Sequence, residues 1–146
     1  MTVGNMQKPQ PTLWLAVAST GTTALSPKLT LPLADAYTFY INTTTATAGT
    51  LDVSFQTSVD GGTTYVNLPW RYAQISTVST NVLTVRLGLG VGEIGAETAT
   101  ADTGGTLALP AVPDVNFMKV KYTIGTGPFV FNLYYIALPK GSVGGL

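Results

Sequence analysis

The sequence predicts an all-β protein: an antiparallel β-sandwich, jelly-roll-like, with an extended N-terminal arm and one long Gly-rich loop. Three observations predict it. Apolar and polar residues alternate with period two in stretch after stretch, which sends successive side chains to opposite faces of a strand. Thr, Val, Tyr, Phe and Ile, residues that suit a pleated surface, are plentiful. Gly or Pro interrupts nearly every stretch, leaving almost no helical period.

Taken in order, residues 1–12 hold Pro9 and Pro11 and little periodicity, and read as an extended arm. The sandwich domain then runs over residues 13–140. Strands are expected at Leu13 to Val17 and Lys28 to Leu31, and where Tyr37, Phe39 and Ile41 alternate with Thr38, Tyr40 and Asn42. Leu51 to Gln56 alternates strictly, as on a strand with one wet face. Further strands are expected at Tyr65 to Leu68, Trp70 to Val78 and Val82 to Leu87. Residues 88–116 carry six glycines, two prolines and four of the seven acids. A loop beyond about 12–15 residues is uncommon in a compact domain, so its order is expected to depend on something outside the subunit, with Leu107, Leu109 and Val112 as apolar anchors.

Met118, Val120, Tyr122 and Ile124 alternate with Lys119, Lys121 and Thr123 in another half-buried strand. In Phe129 to Leu138 both alternating sets are largely apolar. That pattern fits a central strand, or one whose outer face is covered by another subunit. A hairpin through Gly125-Thr126-Gly127-Pro128 is expected to join these last two strands. Residues 141–146 are a glycine-rich tail.

Composition narrows the function. The 146 residues include no His and no Cys, with seven acidic and seven basic side chains. This rules out a Ser-His-Asp triad, a thiol nucleophile, a disulfide and imidazole or thiolate metal sites. Zero net charge gives no attraction to nucleic acid or to an anionic membrane. No run reaches the roughly 20 apolar residues of a membrane span, and the first ten residues lack the pattern of a secretory signal. Synthesis in the cytoplasm is expected. Charged residues make up 10% against a usual share of roughly 25%, so the surface is weakly protected against association and suits burial by partners. The reading is of a non-enzyme with no cofactor.

The sharpest local motif is Ser58-Val59-Asp60-Gly61-Gly62-Thr63-Thr64-Tyr65. It resembles the Asp-box of sialidases and many unrelated β proteins, S-x-D-x-G-x-T-W, with Tyr65 in the place of Trp. The Asp accepts backbone N–H bonds across the turn and Gly supplies positive φ, so Ser58, Asp60, Gly61, Gly62, Thr64 and Tyr65 are expected to form a structural turn. Glu93 and Glu97 are read as solvated loop acids, because they lack a neighbouring aromatic platform for a sugar. A calcium site from Asp102 with Glu93, Glu97 or Asp114 has no EF-hand-like spacing. Gly88 to Gly92 lacks the Lys-Ser/Thr and following helix of a phosphate loop. Trp14, Trp70, Tyr40 and Tyr72 are expected in the core or an interface, the alternative being a carbohydrate-binding face. Trp14, Phe129, Phe131 and Tyr135, with the three loop anchors, are the candidate interface residues.

Thr50 to Tyr65, followed by Trp70 to Val78, resembles small β-sandwich virion structural proteins of tailed bacteriophages, of the capsid decoration (cement) or head-fibre type. Met118 to Thr123 and the glycine-turned Phe129 to Ala137 are similar to the closing strands of that group. The resemblance implies a virion protein on the capsid surface, with the phage major capsid protein and further copies of itself, as a homotrimer, for partners. The alternatives are a carbohydrate-binding module and a phage tail or baseplate structural protein.

Overall fold

The computed structural model describes residues 10–19, 22–86 and 113–138. Among these residues there are eight strands: β1 Thr12–Ser19, β2 Thr22–Leu25, β3 Ala36–Ala46, β4 Leu51–Ser58, β5 Tyr65–Arg71, β6 Ser79–Arg86, β7 Met118–Ile124 and β8 Phe129–Leu138. They form two antiparallel four-stranded sheets, sheet A in the order β1-β8-β3-β6 and sheet B in the order β2-β7-β4-β5. The pairings nest. β4 pairs with β5, β3 with β6, β2 with β7 and β1 with β8. A single antiparallel ribbon, folded at β4–β5, is thus rolled until β3 meets β8 and β4 meets β7. That is the strand order of a jelly roll.

Alternation decides which residues meet between the sheets. Tyr37, Phe39 and Ile41 of β3, Leu51, Val53 and Phe55 of β4, and Phe129, Phe131 and Leu133 of β8 are all buried. The centre is aromatic. Phe39 of sheet A meets Phe55 of sheet B with ring centroids 4.5 Å apart. Trp14, Trp70 and Tyr72 close around Phe55 at 5.7, 6.4 and 6.3 Å. These rings bring polar atoms inside with them: the Nε1 of Trp14 and of Trp70 and the hydroxyl of Tyr72 find no hydrogen-bond partner among the described residues. Burial pushes the Tyr72 hydroxyl pKa up, since an anion there would be desolvated. By contrast the Tyr37 hydroxyl donates to the Pro32 carbonyl at 2.5 Å, tying the β2–β3 connection to the sheet.

Several expectations change here. Gly125 to Pro128 does join β7 to β8, but as an arch between layers rather than a hairpin, because β7 lies in sheet B and β8 in sheet A. β8 is a central strand, between β1 and β3. Residues 28–31 contribute one bridge, Leu29 to Met118, since Pro27 and Pro32 bound the segment and cannot donate to a ladder. Trp70 belongs to β5, which accommodates Pro69 at a register slip on a sheet edge. Beyond Arg71 the chain touches β4 again through Tyr72 and Ile75. β2 was not anticipated: it is four residues long and its Leu25 side chain is exposed. Thr12 already pairs with Tyr135, so the sandwich begins one residue early.

Residues 113–116, assigned above to the long loop, pack on the subunit itself. Val115 is buried and its carbonyl accepts from Leu31 N–H at 2.8 Å. Leu107, Leu109 and Val112, with Glu93, Glu97 and Asp102, lie outside the described residues, as do residues 1–9 and the tail.

Two substitutions test this account. Gly127, in the arch, has φ +75°, and a Cβ there would collide with the Thr47 and Ala48 carbonyls. Gly127→Ala should destabilise by about 1–3 kcal/mol from backbone strain alone, with the collision adding to it. Tyr72→Phe should leave stability unchanged or higher in urea denaturation, because it deletes a buried hydroxyl that has no partner among the described residues while keeping the ring. A marked loss in Tyr72→Phe would show that the hydroxyl is bonded.

Candidate functional site

Two places concentrate polar or exposed groups that the core does not use. The first is the β4–β5 turn. Asp60 Oδ1 accepts from Thr64 N–H at 2.6 Å, from Thr63 N–H at 3.1 Å and from the Ser58 hydroxyl at 3.0 Å. Ser58 Oγ in turn accepts from Gly62 N–H at 2.7 Å and Asp60 N–H at 3.3 Å. Val59 N–H donates to the Thr64 carbonyl at 3.2 Å and closes the loop. The Thr64 backbone N–H, then its hydroxyl, with smaller help from Ser58 and Thr63, holds the Asp60 carboxyl below its ordinary value. A carboxylate stabilised in this way stays ionised at neutral pH and acts as a tie across the turn rather than as a proton donor.

The turn also anchors the neighbouring segments. Gly62, at φ +103°, lies against the Phe117 ring, where a Cβ would come within 2.8 Å. Ser58 N–H donates to the Phe117 carbonyl at 3.1 Å, and Thr57 Oγ1 both donates to the Asp114 carbonyl and accepts from Asp114 N–H. Lys119 Nζ stands 4.1 Å over the Tyr65 ring and Lys28 Nζ 4.8 Å over Phe117, in cation–π contacts. Ser58, Asp60, Gly62, Thr63, Thr64 and Tyr65 thus fasten one end of the sandwich, where the β4–β5 turn meets the start of β7.

The second place is the outer face of sheet A. Along its strands the sole charged residue is Arg86, whereas sheet B carries Asp52, Arg71, Lys119 and Lys121. The register aligns Leu13 with Tyr134, Tyr134 with Tyr40, and Tyr40 with Val82, a row across all four strands. Leu13 and Val82, its ends, are 52% and 53% exposed. Uncharged pairs flank the row: Thr38 with Thr84 at 3.4 Å, and Thr80 donating to Asn42 Oδ1 at 3.3 Å. Pro11, Tyr40, Asn42, Thr80 and Tyr134 line an open groove of about 270 Å³ on this face.

The aromatic residues singled out from the sequence do not share that face. Trp14, Trp70 and Tyr72 are buried between the sheets, so of the four proposed for a carbohydrate surface Tyr40 alone remains outside. Phe129 and Phe131 are fully buried and Trp14 nearly so, which removes them as interface residues: the arch turns that face of β8 inward. Tyr135 is half-buried and packs edge-on to Trp14 at 6.2 Å. Tyr134 and Val82 were missed. The signal was available in the alternation of β8 and β6, but which face points outward depends on the sheet each strand joins.

Comparison with models of protein families, with curated proteins and with solved structures returned no match to this chain.

The turn yields a pH-dependent prediction. Asp60→Ala should lower the melting temperature by a few degrees at neutral pH while the fold persists. Because the folded pKa of Asp60 is lowered from 3.8, its stabilisation is present above that value and lost as pH falls through the folded one. The gap between wild type and Asp60→Ala should therefore narrow in melts taken below pH 3.8. A constant gap across that range would remove the ionised carboxylate from the account.

Proposed function

We propose that this chain is a non-enzymatic virion structural protein, most specifically a capsid decoration protein of a tailed bacteriophage, seated on the major capsid protein of the head. The observation that carries the reading is the outer face of sheet A. Four strands present a nearly charge-free surface with an apolar row at its centre, which is costly to leave in water and suited to burial against a large partner. The jelly-roll order supports the same reading by analogy, since viral capsid domains use it, though lectin domains do too. The fastened turn at Ser58 to Tyr65 suits a shell component, whose task is to hold its shape.

The Tyr40–Tyr134 groove favours a second reading, a module that stacks a neutral carbohydrate on its tyrosines. The two readings separate experimentally. Mass spectrometry of purified particles of the phage whose genome carries this gene should find the chain in fixed ratio to the major capsid protein. Its presence in the lysate but not in the particle would defeat the structural proposal. Saturable glycan binding abolished by Tyr134→Ala, in a folded protein, would instead establish the carbohydrate module.

A further inference from the structure

Four strands end the two sheets: β1 and β6 in sheet A, β2 and β5 in sheet B. The outer side of an edge strand carries unpaired N–H and C=O groups and invites another strand, unless it is short, bulged, charged or interrupted by Pro. Three of the four edges are protected in these ways. β2 has four residues. β5 contains Pro69 and slips register against β4 between Ser54 and Gln56. β1 bulges between Leu13 and Leu15, at Trp14.

β6 is neither short nor bulged, and its one charge stands at its end. It pairs with β3 residue for residue from Ser79 to Arg86 without a shift and contains no proline. Among the described residues its other side meets no strand. We propose that β6 is an interaction edge, and that its partner is the β6 of a second copy of this chain, paired antiparallel about a two-fold axis so that two sheets A become one continuous sheet.

The other edges of the chain argue for that occupant. An isologous contact brings the same patch of two copies together, and β6 is the one regular edge a second copy has to offer among the described residues. Val82 sets the register, because it is 53% exposed at the free edge and ends the row that begins at Leu13. Centring the two-fold there places Val82 against its mate and Thr80 against Thr84, pairings that β-branched side chains favour across strands. Arg86 then faces Val78, itself 62% exposed, so no like charges oppose each other. The two apolar rows run on into one another. This inference does not depend on the proposed virion role, since it concerns the subunit's own edge.

Light scattering of the full chain at micromolar concentration should give twice the 15.2 kDa of one chain. Val82→Lys sets two ammonium groups face to face at the axis and should abolish the dimer while thermal melting shows a folded protein, whereas Val82→Thr should keep it. The chain has no cysteine, so a single introduced one reports cleanly. Val82→Cys should give a disulfide-linked dimer on mild oxidation, and Leu13→Cys, exposed on the far edge, should not. A monomeric wild type, an oligomer that survives Val82→Lys, or equal cross-linking by the two cysteine variants would each overturn the proposal. Should Val82→Lys fail to fold, the cysteine pair decides alone.

Discussion

The contact between Phe39 and Phe55, 4.5 Å between ring centres, is where the two sheets are held together. Phe39 lies on β3 and Phe55 on β4, strands that follow one another in the chain but belong to different layers. Trp14 from β1 reaches both rings, at 5.8 and 5.7 Å, and Trp70 from β5 also reaches both, at 6.2 and 6.4 Å. Aromatic pairs tilted in this way contribute beyond their buried area, and a chain without disulfides depends on such packing for its inter-layer cohesion. The Nε1 atoms of Trp14 and Trp70, without a partner among the described residues, are the cost of using indoles here, offset by the area those rings bury.

Much of this arrangement was legible in the sequence. Alternation in residues 37–42, 51–56 and 118–124 identified the buried apolar set except at Tyr122, which is only partly buried, and missed the burial of Gln56. The period of a strand is set by local geometry, while burial depends on what covers it. The doubly apolar pattern of Phe129 to Leu138 marked a strand with neighbours on both sides. Pairing partners were not legible. Gly125 to Pro128 has the chemistry of a reversal, and a reversal serves a hairpin and an inter-sheet arch equally well. The error over Phe129 and Phe131 has the same origin: a strand apolar on both faces does not declare which face is inward. β2 escaped because four residues with one exposed leucine hold too little alternation to rise above a loop.

The turn at Ser58 to Tyr65 was legible for the opposite reason. Its chemistry is confined to eight consecutive residues, so the groups that bond are also neighbours in sequence. Its tertiary partner Phe117, like Asp114 beside the adjoining Thr57, comes from more than fifty residues later and carries no local mark. The difference in charge between the two sheets lies between these cases. It is written in the composition of each strand, yet becomes a property of two surfaces only after the strands are sorted into layers.

The nested pairing has a consequence for the order of events during synthesis. A ribosome delivers β1 first and β8 last, yet β8 occupies the interior of sheet A and supplies β1 with its paired neighbour. Until β8 emerges, β1 lacks that neighbour and β3 pairs on one side alone, with β6. Among the described strands only the β4–β5 hairpin, built on adjacent residues and clasped by its own carboxylate, can close early. Assembly therefore runs outward from the fold of the ribbon, and a chain truncated before Phe129 would leave the opening strand and the aromatic interior exposed together.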